Sequence, residues 1–490
     1  MKVLFAAWEM DPFFKVGGLG DVIRSLPNAL NELRVDVRVI LPFYKSLKLE
    51  GAVKKKLATS KIEYNRKKEE VIIYKVSHPI TRVTVYLIKN HKYLDVARTQ
   101  ETFAFFNKAV IDLIRSGLLK FIPDIIHCHD HHTGLIPLLL KKKEMNIKAV
   151  LTIHNLAYQG YSPVEVLKKI GLDVADCQIT KWEIASRRLN FLLEGIIHAD
   201  LITTVSLTYS KEILSEKYGM GLEEVLKSYK SKLYGILNGI DLNYNYLMHL
   251  KHVPYPFLNF NTEDDNKIKF YSVEEGKKLN KLHLQKQTGL TQDESIPVLS
   301  FIGRFDAKQK GIDILHKMIR RFGVKSGQYQ FIILGTGDPE WEERFTWLSN
   351  FYPDTVSCHF VFDPKLAQLI YAASDFILIP SKFEPCGLIQ MLAMTSGTLP
   401  IAHSVGGLTD SIKNGVNGFL FREYSAKAIK ETVEKAVWIW KNDRKRYIKM
   451  VKTALKSDFS WERSAEEYIK LYKKLVVGRP AVGGIPLRRD

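Results

Sequence analysis

Apolar and β-branched residues gather in short runs along the chain, and the runs alternate with stretches where apolar residues recur at helical spacing. KVLFAAWE is followed by the helical DVIRSLPNALNEL. Then come DVRVILPF and VTVYLIKN, the helical TFAFFNKAVIDLIRSGLLK, and the short runs DIIHCHD, AVLTIHN and LITTVS. The polar, irregular HVPYPFLNFNTEDDNK interrupts the rhythm, which restarts past residue 295. There PVLSFIGRF, QFIILGTG, CHFVF, DFILIPS and LPIAHS alternate with helices near GIDILHKMIRRF, PKLAQLIYAAS and GLIQMLAMTS. Strand–helix alternation of this kind predicts parallel sheets with crossover helices, and the restart predicts two doubly wound α/β domains. Ligands of such domains sit at the carboxyl ends of strands, and a deep cleft between the two is the default site. The expected boundaries are 1–245 and 246–457, then an amphipathic helix at 458–478 (WERSAEEYIKLYKKLV) packing back toward the first domain. A Gly- and Pro-bearing tail at 479–490 is expected to be mobile.

With 490 residues, 46% of them hydrophobic, the chain can build two full cores. No apolar run reaches the ~18 residues of a membrane span. The start, MKVLFAAWEM, is interrupted by Glu9 and reads as a first buried strand rather than a signal peptide. Cys128, Cys177, Cys358 and Cys386 form no C-x-x-C pair, which fits a reduced, cytoplasmic enzyme. The net charge of +19 invites a nucleic-acid reading. The basic residues are scattered, however, and Lys-rich pieces such as KKKLATSK read as solvated faces, so neither nucleic acid nor membrane is expected as a partner.

Candidate chemistry lies at the predicted strand ends. FFKVGGLGDVIRSLPNAL puts Lys15, Gly17 and Gly18 between the first strand and a helix. Backbone N–H groups there can approach a phosphate at a helix N-terminus. The loop fits neither a Walker pattern nor G-x-G-x-x-G, and a plain tight turn explains it equally well. In the second half, GRFDAKQKGIDIL places Arg304 and Lys310 where two cations suit a diphosphate. PSKFEPCGLIQMLAM places Glu384 where a carboxylate accepts sugar hydroxyls, with Cys386, Gly387 and Leu388 opening the next helix. SVGGLTD adds a second Gly-Gly turn at Gly406 and Gly407. Several anion-directed loops at strand ends in both halves point to one nucleotide-like ligand.

Taken in order, KVGGLGDV, HDHHTGLIP, TIHNLAYQG, TTVSLTYSKEI, YGILNGID, QKGIDIL, PSKFEPCGLIQMLAM and FSWERSAEEYIKLY span most of the chain. The ordered set resembles the bacterial and plant-type glycogen (starch) synthases, retaining glycosyltransferases of the two-Rossmann GT-B architecture. The resemblance implies Lys15 on the diphosphate of ADP-glucose and Asp21 at an active-site acidic position. It implies Arg304 and Lys310 on the leaving diphosphate, Glu384 on the transferred glucose and His154 against the donor sugar. It further implies Asn238 as a substrate contact, Phe362 stacked on the base, and Glu9 and Asp130 toward the acceptor. No cofactor beyond the donor substrate is implied, and the partners are ADP-glucose and an α-glucan.

HCHDHH, residues 127–132, offers four histidines, a cysteine and an aspartate, the residue types of a metal site. Neighbouring residues at a strand end point to opposite faces, and the resembled family reads H-x-H-D-W here without metal, so no metal is expected. Several positions depart from the family pattern. His131 replaces a tryptophan, Leu193 a lysine and Val405 a threonine, and the loop before Lys310 is one residue longer; Leu392, where many other retaining relatives carry a second glutamate, is what the resembled bacterial branch implies. The expected reaction is transfer of an α-glucosyl unit from ADP-glucose to the non-reducing end of an α-1,4-glucan, with retention. The rivals are a GT-B transferase using UDP-glucose, a dinucleotide oxidoreductase, and a glucan-binding protein with weak catalysis.

Overall fold

The structure, a computed structural model, describes residues 1–95, 99–177, 188–257, 269–324 and 327–476. Most of HVPYPFLNFNTEDDNK, including its TEDD, and the tail expected at 479–490 lie outside the described residues. The chain divides into two compact units. The first holds Met1–Val205, Ser210–Gly239 and the chain from Trp461 onward; the second holds Ser206–Tyr209 and Ile240–Ser460.

The first unit contains β1 (Lys2–Ala6), β2 (Asp36–Pro42), β3 (Lys54–Tyr64), β4 (Lys67–Ser77), β5 (Thr84–Lys89), β6 (Ile125–His129), β7 (Lys148–Ile153), β8 (Tyr161–Pro163), β9 (Arg188–Asn190), β10 (Leu201–Thr204) and β11 (Leu233–Gly235). Nine of these form one sheet in the order β11-β10-β7-β6-β1-β2-β5-β4-β3. Pairing is parallel from β11 to β5 and antiparallel at the β5–β4 and β4–β3 pairs. Val3, Leu4, Phe5 and Ala6 are wholly buried, as befits a central parallel strand covered on both faces. Each such Leu or Phe contributes roughly 1.5–3 kcal/mol by leaving water.

The strand order reverses direction between β1 and β6. Loops that follow these two strands therefore open at the switch point, the usual ligand position of such sheets. Helix α1 (Gly18–Glu32) leaves the β1 loop and lays Val22, Ile23, Leu26 and Leu30 into the core. The helix Trp461–Val476 also belongs to this unit and packs on α1. Its Ser464 hydroxyl donates to the carbonyl of Leu237 at 2.6 Å, and its Tyr472 hydroxyl lies 2.6 Å from His127 Nδ1.

The β3–β4 hairpin has no counterpart among the predicted elements. Its lysines hide the alternation, although Ile62, Tyr64, Val71 and Ile73 point inward and are buried. Asn65 and Arg66 at its tip take φ of 51° and 60°, as a two-residue hairpin turn of the primed type needs. Lysines on the exposed edge strand discourage pairing with another chain.

The second unit contains β12 (Val298–Ile302), β13 (Gln330–Leu334), β14 (Val356–His359), β15 (Phe376–Ile379), β16 (Leu399–His403) and β17 (Phe419–Phe421). All pairs are parallel, in the order β14-β13-β12-β15-β16-β17. This is the doubly wound dinucleotide-fold order, with its switch point between β12 and β15.

Candidate active site

Each unit carries a cluster of the candidate side chains at its own switch point. In the first, Glu9 follows β1 and is almost fully buried. Its carboxylate accepts the amides of Val16 at 2.5 Å, Gly17 at 3.2 Å and Gly20 at 3.0 Å. The amides of the glycine-rich loop are thus already taken up by a carboxyl group of the protein itself. This corrects the expected division of labour: the Gly17 amide serves Glu9, while Gly18 begins α1. Burial outweighs these amides and raises the Glu9 carboxyl from 4.5 to about 7, with Asp21 adding to the rise. Lys15 Nζ sits 2.6 Å from Asp21 Oδ1, both partly exposed.

After β6, Asp130 takes φ 54°, ψ −169°, a backbone region nearly confined to glycine. Its Oδ1 accepts the His154 amide at 2.7 Å, and its own amide donates to the Thr152 carbonyl at 2.9 Å. These bonds hold the strained residue in place. Burial raises its carboxyl from 3.8 to about 7, and the Glu9 charge adds to this. His154 Nε2 lies 3.0 Å from His129 Nδ1, and burial pushes His154 down to about 3. Asn238 is buried, and its Oδ1 has no hydrogen-bond partner among the described residues. His131 lies 3.1 Å from the Tyr158 carbonyl through Nδ1. A Cβ at Gly160 would come within 2.4 Å of its ring. Leu193 is buried, on the helix Phe191–His198.

In the second unit, Lys310 Nζ lies 2.8 Å from Glu384 Oε2, and Ser381 Oγ donates to the same oxygen at 2.9 Å. The longer loop before Lys310 therefore still delivers its ammonium to Glu384. Arg304 is exposed and donates through Nη2 to Gln309 Oε1 at 3.0 Å. Gly311 takes φ 70°, and a Cβ there would meet the Pro380 carbonyl oxygen at 1.9 Å. Only glycine lets the β12 and β15 loops approach so closely. A Cβ at Gly407 would similarly meet the Cys386 carbonyl oxygen at 2.1 Å, and the Gly407 amide donates to the Glu384 carbonyl at 3.1 Å. Gly387 and Gly406 take φ of 73° and 45°. Cys386 and Val405 are buried, whereas Leu388 and Leu392 are partly buried. Phe362, between β14 and the helix Pro364–Ala373, is 84% exposed and offers its ring to solvent.

Three supporting residues escaped the sequence reading: Gln309, Ser381 and His129. All three lie inside quoted runs, QKG, PSKFEP and HCHDHH, so their positions were visible but their hydrogen bonds were not. Among the described residues no group of three or more His, Cys, Asp or Glu side chains is placed to hold a metal ion. No helix among them is long and apolar enough to cross a membrane.

Two units of this strand order make up the GT-B architecture, and the matches to known proteins place the chain among the glycosyltransferases of that class. Residues 2–228 match the starch synthase catalytic domain family, and residues 296–437 match the glycosyl transferases group 1 family. Glycogen synthase from Pseudothermotoga lettingae is 38% identical over 97% of this chain and 99% of its own. Glycogen synthase from Ligilactobacillus salivarius is 38% identical over 97% and 100%. The catalytic domain of starch synthase IV from Arabidopsis thaliana, solved bound to ADP and acarbose, matches with TM-score 0.82 and 30% identity over 97% of this chain and 99% of that one. The chain belongs to the glycogen synthase and starch synthase family of glycosyltransferases.

Proposed function

We propose that the enzyme transfers glucose from ADP-glucose to the non-reducing end of an α-1,4-glucan with retention of anomeric configuration, in the cytoplasm and without a metal or cofactor. The observation that carries this reading is the Glu384 carboxylate, fixed by Lys310 and Ser381 at the second unit's switch point. A carboxylate held this firmly can orient sugar hydroxyls, and the neighbouring ammonium can meet a diphosphate. The ADP in the starch synthase IV structure supports adenine as the base, and its acarbose supports a glucan-like acceptor.

In this reading Arg304 and Lys310 bind the diphosphate and stabilise the charge that grows on it as the glycosidic bond breaks. Lys15 adds a third cation once it leaves Asp21. Gly387, Leu388, Gly406 and Gly407 bring backbone close to the phosphates. Phe362 stacks on the base, and Cys386 lines the site. His154 and Asn238 contact the donor sugar, and Asp130 with Glu9 shapes the acceptor side. No side chain is assigned as a nucleophile: the acceptor hydroxyl attacks from the face the diphosphate leaves, and the departing phosphate oxygen takes its proton. Exclusion of water protects the donor from hydrolysis.

The test is glucan extension by the purified protein with ADP-glucose or UDP-glucose, without added metal, alongside Glu384→Ala. Growth with ADP-glucose, lost in the variant, is expected. Preference for UDP-glucose would move the nucleotide assignment. Glycogen binding without transfer would favour a glucan-binding protein, the reading that buried Leu193 in place of the family's lysine keeps open.

A further inference from the structure

β6 ends in His127-Cys128-His129, and the two histidines leave the strand on one face because side chains alternate. Their rings stack at 4.3 Å and 27°, and His129 also packs against Phe5 at 5.1 Å. His127 lies within hydrogen-bond distance of Thr152 Oγ1 and the Tyr472 hydroxyl. The His129 amide donates to Thr133 Oγ1 at 2.6 Å. His129 is therefore wholly buried and fixed by its neighbours.

Its two ring nitrogens differ. Nδ1 meets His154 Nε2 at 3.0 Å, whereas Nε2 is buried with no hydrogen-bond partner among the described residues. Burial pushes both rings far below the ordinary histidine range, so both are neutral at pH 7. A contact between two neutral imidazoles carries one proton. If His154 supplied it, the proton of His129 would sit on Nε2 as a buried N–H with nothing to accept it. If His129 supplies it, Nε2 is only a bare lone pair. Either way one buried polar atom is unmet, at a cost of about 1–3 kcal/mol, but an orphaned buried N–H is the rarer case, which favours His129 as the donor.

We propose that His129 is a positioning residue that donates its Nδ1–H to His154 Nε2, and so fixes His154 as the Nδ1–H tautomer, a hydrogen-bond donor toward a sugar hydroxyl oxygen. The proposal rests on the reading of His154 as a contact of the donor sugar. Asp130 holds the backbone of His154 and His129 holds its ring, so both the place and the polarity of the side chain are set before substrate arrives. The same arrangement gives His129 of HCHDHH a role that needs no metal: it orients His154.

The test uses full-length protein labelled with 15N-histidine, whose long-range proton–nitrogen spectra report each tautomer, with His154→Gln to assign the signal. His129→Phe keeps a ring beside Phe5 and removes the donor; His129→Asn keeps an amide N–H near the Nδ1 position. The wild type is expected to show His154 as Nδ1–H. In His129→Phe the Nε2–H form should appear and kcat should fall about 10–100-fold, the usual cost of losing a group that orients a functional histidine. His129→Asn should recover the tautomer and most of kcat. An Nε2–H signal for His154 in the wild type would overturn the proposal, as would an unchanged tautomer in His129→Phe. If His129→Phe does not fold, the wild-type and His129→Asn spectra decide. Absence of glucosyl transfer by the wild type would sink the donor-sugar reading instead, and the spectra would still report the tautomer.

Discussion

The switch points of the two units handle charge in opposite ways. After β1 and β6, Lys15 and Asp21 pair in partial exposure, but Glu9, Asp130 and His154 are buried, and burial drives them toward neutrality: Glu9 and Asp130 rise to about 7, and His154 falls to about 3. After β12 and β15, full charges face each other, with Lys310 against Glu384, and Arg304 stays exposed beside Gln309. Under the proposed function, the first site hydrogen-bonds a neutral sugar, whose hydroxyls need donors and acceptors of fixed polarity. Under the same proposal, the second receives an anion whose charge grows during reaction. The comparison predicts that pH acts mainly through the first unit and that transition-state charge is met mainly in the second.

The largest expected effect tests the second half of that statement. Lys310→Ala removes a preorganised cation and also releases Glu384. A fall in kcat of about 10²–10³-fold is expected, with a much smaller change in donor KM, because the contact strengthens as charge develops. Steady-state kinetics with ADP-glucose and glycogen measure the split. A rise in KM with kcat unchanged would show that Lys310 only binds substrate, and the contrast between the units would lose its catalytic meaning.

Glu9→Gln tests the first unit. A carboxyl raised in the folded state contributes stability that is present below its unfolded value, near 4.5, and lost as pH rises through about 7. Glutamine has no such dependence. The stability of the variant relative to wild type should therefore increase from pH 5 to pH 8, by about 2–3 kcal/mol. Urea unfolding of both proteins at each pH measures it. A constant difference across that range would mean that Glu9 stays ionised and that the loop amides outweigh its burial.

How much of this was legible beforehand depended on where the determining atoms lie. Lys310, Glu384 and the glycines around them stand in short linear runs, where residue type and spacing carry the chemistry. The alternation of strands and helices was visible because parallel strands are apolar on both faces. The role of Glu9 was hidden, because its partners are backbone amides of a loop whose path no side-chain pattern declares. His129 was hidden because its meaning depends on which nitrogen lacks a neighbour. The strain at Asp130 was equally invisible, since aspartate at a strand end reads as an ordinary turn residue. The β3–β4 hairpin was missed because lysines on its solvent face masked the buried alternation.

The smallest expected effect concerns Phe362. Its ring is 84% exposed and makes little contribution to the core, so Phe362→Ala should leave the melting temperature nearly unchanged. If the ring stacks on the nucleotide base, its loss removes about 0.5–1.5 kcal/mol of binding, a rise in donor KM of roughly two- to tenfold with kcat preserved. That pattern is the converse of the one expected for Lys310, because a base remote from the breaking bond is held equally in ground and transition states. The two variants together separate binding from catalysis within a single unit. Equal affinity of wild type and Phe362→Ala for ADP, measured by calorimetry, would remove Phe362 from the site and leave base recognition to residues beyond those assigned.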